Sequence, residues 1–267
     1  MRRICLLVSL LIIFLAVNIA MAEEAVKEQI VLGKWTVREL DSILSESSKM
    51  DDAGKRIEFL SRKFFNTPYR ESTLIGDVNM PEVFVINFEG VDCFTFIDYV
   101  EAMRFSGSFP EFKERLNKIR YRSGKVSFEN RNHFFTDWRE FNQGLVDDVT
   151  AQVGPEKTKR AMKMLNRKRG GVILLPGIDY KQREIIYIPS DVIDATVIDR
   201  LRTGDYVGIY TRKQGLDVSH VGIIIRDKNK VYIRHASSNP KYRKVMDQDF
   251  RKYIDGKPGI VILRPKS

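Results

Sequence analysis

The spacing of apolar residues follows a helical period in the first half of the chain. Residues 36–39 have the pattern of a capping box, and apolar Leu40 and Ile43 follow at helical spacing. A second helix is expected to begin at Asp51 or Asp52. The same reasoning predicts an amphipathic helix over residues 94–105, a helix after Asp137 and a basic helix over residues 156–167.

The last third of the chain consists of short runs rich in Val, Ile and Tyr, separated by turn-forming residues. A helix-rich first part followed by antiparallel strands predicts an α+β fold. The predicted strands span residues 82–88, a hairpin within 119–128, and then 183–188, 205–211, 218–226, 230–235 and 259–263.

The first 22 residues have the pattern of a secretory leader. Arg2 and Arg3 precede an apolar run over residues 4–17, and Ala20 and Ala22 form a small-x-small cleavage signal. The apolar run is shorter than the ~20 residues that a membrane span needs. We therefore expect an exported, periplasmic protein with one domain over residues 23–267 and no stable membrane insertion after leader cleavage.

The chain is strongly basic, with a formal net charge of +10. Cleavage of the leader removes Arg2 and Arg3 and leaves +8. In an exported protein this charge favours anionic polymer, lipid headgroups or cell wall as partners. No nucleic-acid recognition motif accompanies the charge, so a nucleic-acid partner is not expected.

Cys93 is the single cysteine of the predicted mature chain. The count alone leaves two alternatives open, a reactive thiol and an inert buried side chain. Asp92 directly before it is a plausible N-cap, which would put Cys93 in the first turn of a helix. Amides and the positive helix end at that position stabilise a thiolate, so we predict a lowered thiol pKa and a nucleophile.

A cysteine nucleophile needs a base, and the chain has three histidines, His133, His220 and His235. His220 lies near the start of one predicted strand and His235 at the end of the next. A tight turn at residues 227–229 joins these strands, so the two rings are expected side by side. We predict that His220 is the base and that His235 orients it.

A zinc site built from Cys93, His220 and His235 is the alternative for the same three residues. Their spacing matches no short metal-binding motif, and we expect neither a metal nor another cofactor.

Several short motifs follow one another along the chain: Asp92-Cys93-Phe94-Thr95-Phe96, Asn132-His133-Phe134 with Asp137-Trp138, Gly204-Asp205-Tyr206-Val207, Asp217-Val218-Ser219-His220 and His235-Ala236. In this order they resemble the NlpC-type cell-wall amidases, and in particular their N-acetylmuramoyl-L-alanine amidase-like branch. One departure from typical NlpC-type members is Phe94, where they have a small residue after the cysteine.

The resemblance implies a papain-like core, with a cysteine-bearing helix packed on an antiparallel sheet. This core would comprise about residues 66–105 and 203–265, with an insertion over about 106–202. The implied activity is hydrolysis of the bond between the muramoyl lactyl group and L-alanine in soluble (anhydro-)muropeptides. A monomer is expected.

The resemblance and the side-chain types also suggest substrate contacts. Trp138 and Asp137 could form a platform for a sugar ring, or Trp138 could simply pack under a helix capped by Asp137. Tyr69 resembles a substrate-side tyrosine of the family, although a turn tyrosine is common. Asn132 and His133 complete the predicted substrate-binding set.

Three other functions stay open at this point. The same core could cut the D-glutamyl–diaminopimelate bond, as other members of the superfamily do. It could bind cell wall without catalysis, although binding alone places no demand on an oxidisable thiol. It could also transfer the acyl group to an amine instead of water.

Overall fold

The computed structural model of the protein describes residues 27–267, and the predicted leader lies outside this part. Within residues 27–267, no helix is long and apolar enough to cross a membrane.

The larger helices precede most of the sheet, as the hydrophobic pattern predicts. Thr36 forms the predicted capping box with Glu39, and the Asp52 side chain accepts a hydrogen bond from the amide of Lys55. Both predicted helix starts are therefore confirmed. The helices are α1 (Val37–Ser48), α2 (Ala53–Arg62), α3 (Cys93–Arg104), α4 (Phe109–Arg120), α5 (Phe135–Phe141), α6 (Thr150–Val153), α7 (Ala195–Arg200) and α8 (Phe250–Ile254).

Six strands form one antiparallel sheet, and four more form two small pairs. The strands are β1 (Glu28–Val31), β2 (Phe84–Asn87), β3 (Val146–Asp148), β4 (Lys159–Leu165), β5 (Lys181–Tyr187), β6 (Tyr206–Tyr210), β7 (Val218–Asp227), β8 (Lys230–Ala236), β9 (Val245–Asp249) and β10 (Ile260–Pro265). The order in the large sheet is β3-β10-β6-β7-β8-β9, while β1 pairs with β2 in parallel and β4 pairs with β5 as an antiparallel ribbon. The α+β class is confirmed.

Both faces of the large sheet are buried because alternate residues of each strand enter different cores. On β7, Val221 and Ile223 join the core that contains α1 to α5, whereas Ile224 joins a second core with residues of α7 and α8. Helix α3 packs against β7 and β8 and is buried nearly all round, since ten of its twelve residues are buried. The prediction of an amphipathic helix is therefore wrong.

The predicted hairpin over residues 119–128 is also wrong. Helix α4 continues to Arg120, and two short 3₁₀ turns follow it. Ser108 caps α4, and its buried Phe112, Leu116 and Ile119 recur at helical spacing.

The predicted basic helix over residues 156–167 is wrong as well, because this segment forms strand β4. Its side chains alternate, with Met162 and Met164 exposed and Leu165 buried. Its backbone pairs with β5 along all seven residues. A local reading of charge and helix propensity could not include this distant partner.

Candidate active site

Cys93 is the first residue of α3. Asp92 Oδ1 accepts hydrogen bonds from the amides of Phe94 at 2.9 Å and Thr95 at 2.7 Å, and Thr95 Oγ1 accepts one from the Asp92 amide at 3.0 Å. This reciprocal cap fixes the first turn of α3 and confirms the predicted cap and helix start. The Cys93 side chain is half-buried and forms no disulfide.

His220 and His235 lie side by side, as the sequence predicts. On the β7–β8 pair, Ile223 lies opposite Arg234, so the two histidines are diagonal neighbours on the same face. The ring atoms His220 Nε2 and His235 Nδ1 are 2.7 Å apart. His220 shares its face of the sheet with Ile224 of the second core. Helix α3 packs on the same two strands, and the amide of Val221, directly after His220, hydrogen-bonds to the Cys93 thiol.

A third polar residue extends this chain of hydrogen bonds. His235 Nε2 lies 2.7 Å from Gln248 Oε1 on the neighbouring strand β9. A carbonyl oxygen only accepts hydrogen bonds, so the proton of neutral His235 lies on Nε2. His235 Nδ1 is then an acceptor, and His220 donates to it through Nε2–H. His220 Nδ1 is left without a proton, as a base requires.

The surroundings of Cys93 and His220 favour the neutral thiol and the neutral imidazole. Burial, and then the carboxylate of Asp92, raise the pKa of Cys93 to about 12, while the amides of Val221, Cys93 and Phe94 lower it by less. Burial, and then His235 and Lys257, lower the pKa of His220 to about 3. The predicted low thiol pKa is therefore wrong, because desolvation exceeds the effect of the helix start.

A pocket of about 660 Å³ opens beside the start of α3. Asp92, Phe94 and Thr95, which flank Cys93 in sequence, line one side of it. Its other walls come from the segment 72–79 and from the predicted insertion, with Phe128 and Leu175 among the apolar contributors. This volume lies within the ~300–1,000 Å³ typical of small-ligand sites.

Two of the predicted substrate residues line this pocket. Asn132 Nδ2 donates to the carbonyl of Ile119, but Asn132 Oδ1 has no hydrogen-bond partner among the described residues. His133 Nε2 lies 2.7 Å from the carbonyl oxygen of Phe128, and burial is the main cause that lowers the pKa of His133 to about 4. Substrate contact stays a prediction for both.

The prediction of a sugar platform at Trp138 is wrong. The Trp138 side chain is 0% exposed, and its Nε1 donates to Asp98 Oδ1 at 2.9 Å. Asp137 is also buried, and its carboxylate pairs with Lys181 at 2.5 Å and Arg183 at 2.9 Å. The alternative of a packed Trp138 is correct, since the side chain is buried in the core. Asp137 lies inside α5, however, and does not cap this helix.

Tyr69 lies near the thiol and is partly exposed. Burial, followed by Cys93 and Asp92, raises the pKa of its hydroxyl to about 12. Its ring faces the guanidinium of Arg243, 5.0 Å from the ring centroid. Its role as a substrate-side residue stays a prediction.

Sequence reasoning missed two residues of this region, Gln248 and Arg120. Gln248 lies on β9, a strand that the hydrophobic pattern did not predict. Buried Arg120 lines the pocket and bonds to Asp98, but its Nη2 has no hydrogen-bond partner among the described residues. No motif distinguishes either residue in the sequence. Over residues 27–267, no group of three or more His, Cys, Asp or Glu side chains is arranged to hold a metal ion.

The fold has relatives among solved structures. A Legionella pneumophila protein of family DUF1460 matches with a TM-score of 0.74 and 23% identity, over 86% of this chain and 94% of that one. An N-acetylmuramoyl-L-alanine amidase from Bacteroides uniformis matches with a TM-score of 0.67 and 28% identity, over 80% of this chain and 99% of that one. These α+β structures define the fold class of the protein.

The family follows from the sequence itself. The AmiA-like family model, described as N-acetylmuramoyl-L-alanine amidase-like, matches residues 59–260. The chain belongs to this family, and the resemblance inferred from the motifs is confirmed. No curated protein matches the sequence.

Proposed function

We propose that the protein is an exported, periplasmic cysteine amidase that hydrolyses the N-acetylmuramoyl-L-alanine bond of (anhydro-)muropeptides. The observation that carries this proposal is the hydrogen-bonded order His220, His235, Gln248 on the sheet against which the Cys93 helix packs. Family membership supports an amidase, and the papain-like order of cysteine helix and histidine strand supports thiol catalysis.

The first half-reaction forms a thioester. His220 Nδ1 takes the proton of the Cys93 thiol as Sγ attacks the lactyl carbonyl carbon, which becomes tetrahedral. Asp92 already accepts from the amides of Phe94 and Thr95, so the amide of Cys93 is the first-turn donor left for the oxyanion. His220 then protonates the alanine nitrogen, the C–N bond breaks, and the peptide leaves as an amine.

The second half-reaction restores the thiol. His220 takes a proton from water, whose oxygen attacks the thioester carbonyl, and the C–S bond breaks with the proton returned to sulfur. The products are the muramic carboxylate and the free enzyme. His235 keeps the His220 ring in place through both steps, and Gln248 keeps His235 in the tautomer that accepts.

The pocket at the start of α3, which is lined by the neighbours of Cys93 and not by Cys93 itself, supports a sugar on the acyl side of the bond. Both Arg120 and Asn132 line the pocket, and Arg120 Nη2 is a buried donor and Asn132 Oδ1 a buried acceptor without a hydrogen-bond partner among residues 27–267. A donor and an acceptor together match a secondary amide such as an acetamido group. Phe94 and Phe128 add apolar wall. Because most of these residues belong to the predicted insertion, we assign recognition of muramic acid to that segment.

The experiment compares two substrates by mass spectrometry, a disaccharide-peptide and the same stem peptide without sugar, each with the wild type and with Cys93→Ala. We expect the wild type to release intact stem peptide from the sugar and to leave the bare peptide uncut. The alanine variant should cut neither. Cleavage of the bare peptide between D-glutamate and diaminopimelate would replace the proposal with endopeptidase activity. Binding without cleavage by the wild type would indicate a wall-binding module.

A further inference from the structure

The ribbon of β4 and β5 carries an unusual surface at the end where the two strands are joined. We call this the ribbon-tip surface and define it by Met162, Met164, residues 167–172 and residues 212–214. Part of it is a groove of about 500 Å³. None of these residues belongs to the pocket beside Cys93.

The charge of this surface has one sign. The groove is lined by basic side chains and by no carboxylate. Arg167, Lys168, Arg169 and Arg212 are exposed, and none of them forms a salt bridge with any residue in the range 27–267. Lys163 also lines the groove, and its Nζ donates to the carbonyl oxygen of Thr211 at 2.9 Å. The carboxylate nearest in the ribbon is that of Glu184, opposite Met162, and it pairs with Arg160 rather than with these four cations.

Apolar side chains lie among these cations. Met162 is 59% exposed, Met164 40% and Val172 55%. Single exposed apolar residues are common on proteins, but here Met162 and Met164 line the same groove as four cations without a salt bridge, and Val172 follows the groove residue Gly171 in the chain. Gly170 and Gly171 both adopt positive φ next to Val172, and they turn the chain tightly at this point.

We propose that the ribbon-tip surface docks on an anionic phospholipid bilayer. Basic residues are attracted to the negative surface potential of such a bilayer within about a Debye length. Apolar side chains beside them enter the boundary between headgroups and acyl chains. A soluble polyanion matches the charge but leaves Met162, Met164 and Val172 in water, so the combination favours a membrane surface.

The experiment measures co-sedimentation of the protein over residues 23–267 with vesicles of neutral phosphatidylcholine and with vesicles that also contain phosphatidylglycerol. We expect binding only to the anionic vesicles, and its loss at high salt. Lys168→Glu combined with Arg169→Glu should weaken binding on the order of tenfold or more. Lys49→Glu, just after α1, combined with Lys55→Glu on α2 gives the same charge change away from this surface and should have little effect.

A second pair of substitutions separates a membrane from a soluble polyanion. Met162→Ser with Met164→Ser should weaken vesicle binding several-fold and leave binding to soluble polyphosphate unchanged. Equal binding to both vesicle types, or equal loss in the ribbon and control charge variants, would overturn the proposal. So would binding to polyphosphate without binding to vesicles. None of these readouts depends on amidase activity, so failure here leaves the proposed function intact.

Discussion

At the scale of single residues, the position of two imidazole protons decides whether His220 can act as a base. Gln248→Leu removes the acceptor that holds the proton of His235 on Nε2. We expect kcat to fall roughly tenfold to a hundredfold, the loss found when the hydrogen-bond partner of a metal-binding histidine is removed, with KM little changed. Gln248→Glu keeps an acceptor and should retain most of the activity.

Nitrogen NMR of His220 and His235 reports their tautomers directly. A purely structural role of Gln248 would leave these tautomers unchanged. The wild type should show both rings protonated on Nε2, and Gln248→Leu should show a mixture of tautomers. Gln182→Leu, an exposed change on β5, is the control. An unchanged tautomer state together with unchanged kcat would remove Gln248 from the mechanism.

The protonation of Cys93 gives a second prediction at this scale. Burial raises the pKa of the thiol, and burial lowers the pKa of His220, so the resting pair is neutral. Alkylation of Cys93 by iodoacetamide should therefore be slow below pH 7 and should still increase above pH 8.5. A plateau of the rate below pH 6 would mean that thiolate and imidazolium already exist at rest.

At the scale of elements, the buried helix α3 depends on polar contacts as well as on apolar packing. Arg120 Nε donates to Asp98 Oδ2 at 3.0 Å, and Trp138 donates to the other carboxylate oxygen. Arg120→Leu leaves Asp98 buried without its cation, and we expect the free energy of unfolding to fall by ~3–5 kcal/mol. Urea denaturation measures this loss.

The control for this prediction is Arg62→Leu. Arg62 pairs with Glu58 on the exposed side of α2, and such pairs contribute ~0–1 kcal/mol. If the free energy of unfolding falls as little in Arg120→Leu as in Arg62→Leu, the buried contacts do not stabilise α3.

Element types were predictable where local signals and burial agree. The caps Thr36, Asp52 and Asp92 mark true helix starts, and the Val- and Ile-rich runs form β6, β7, β8 and β10. The predictions failed where distant pairing decides, as in β4, or where a single helix explains a pattern that resembles a hairpin, as in α4.

At the scale of the whole molecule, buried neutral histidines link stability to pH. Burial is the main cause that lowers the pKa of His133 and His235 to about 4 and that of His220 to about 3. Below pH 6.5 the unfolded chain binds protons that the folded protein does not, so stability should fall as pH falls from 6.5 towards 4.

Urea midpoints at pH 7.5 and pH 5 measure this effect. His133→Asn removes one titrating group and should reduce the difference between the two midpoints. A midpoint that is equal at both pH values, or higher at pH 5, would contradict the assignment of these histidines as buried and neutral.

The site was predictable to the extent that its residues are rare. One cysteine after the predicted leader and three histidines left few candidates, and the turn between β7 and β8 brings His220 and His235 together. Trp138 could not be assigned correctly, because its burial depends on how α5 packs against the rest of the fold. Gln248 is an ordinary residue type, and only the pairing of β9 with β8 brings it to His235.

The central claim is that Cys93 carries the muramoyl group as a thioester, and the mass of the acyl-enzyme tests it most directly. The protein is mixed with a disaccharide-peptide, quenched with acid within one turnover and measured intact, followed by mapping of the modified peptide. We predict an adduct on Cys93 with the mass of the sugar and its lactyl group and without any amino acid, and no adduct in Cys93→Ala. An adduct that includes L-alanine and D-glutamate, or release of stem peptide by Cys93→Ala, would contradict the account.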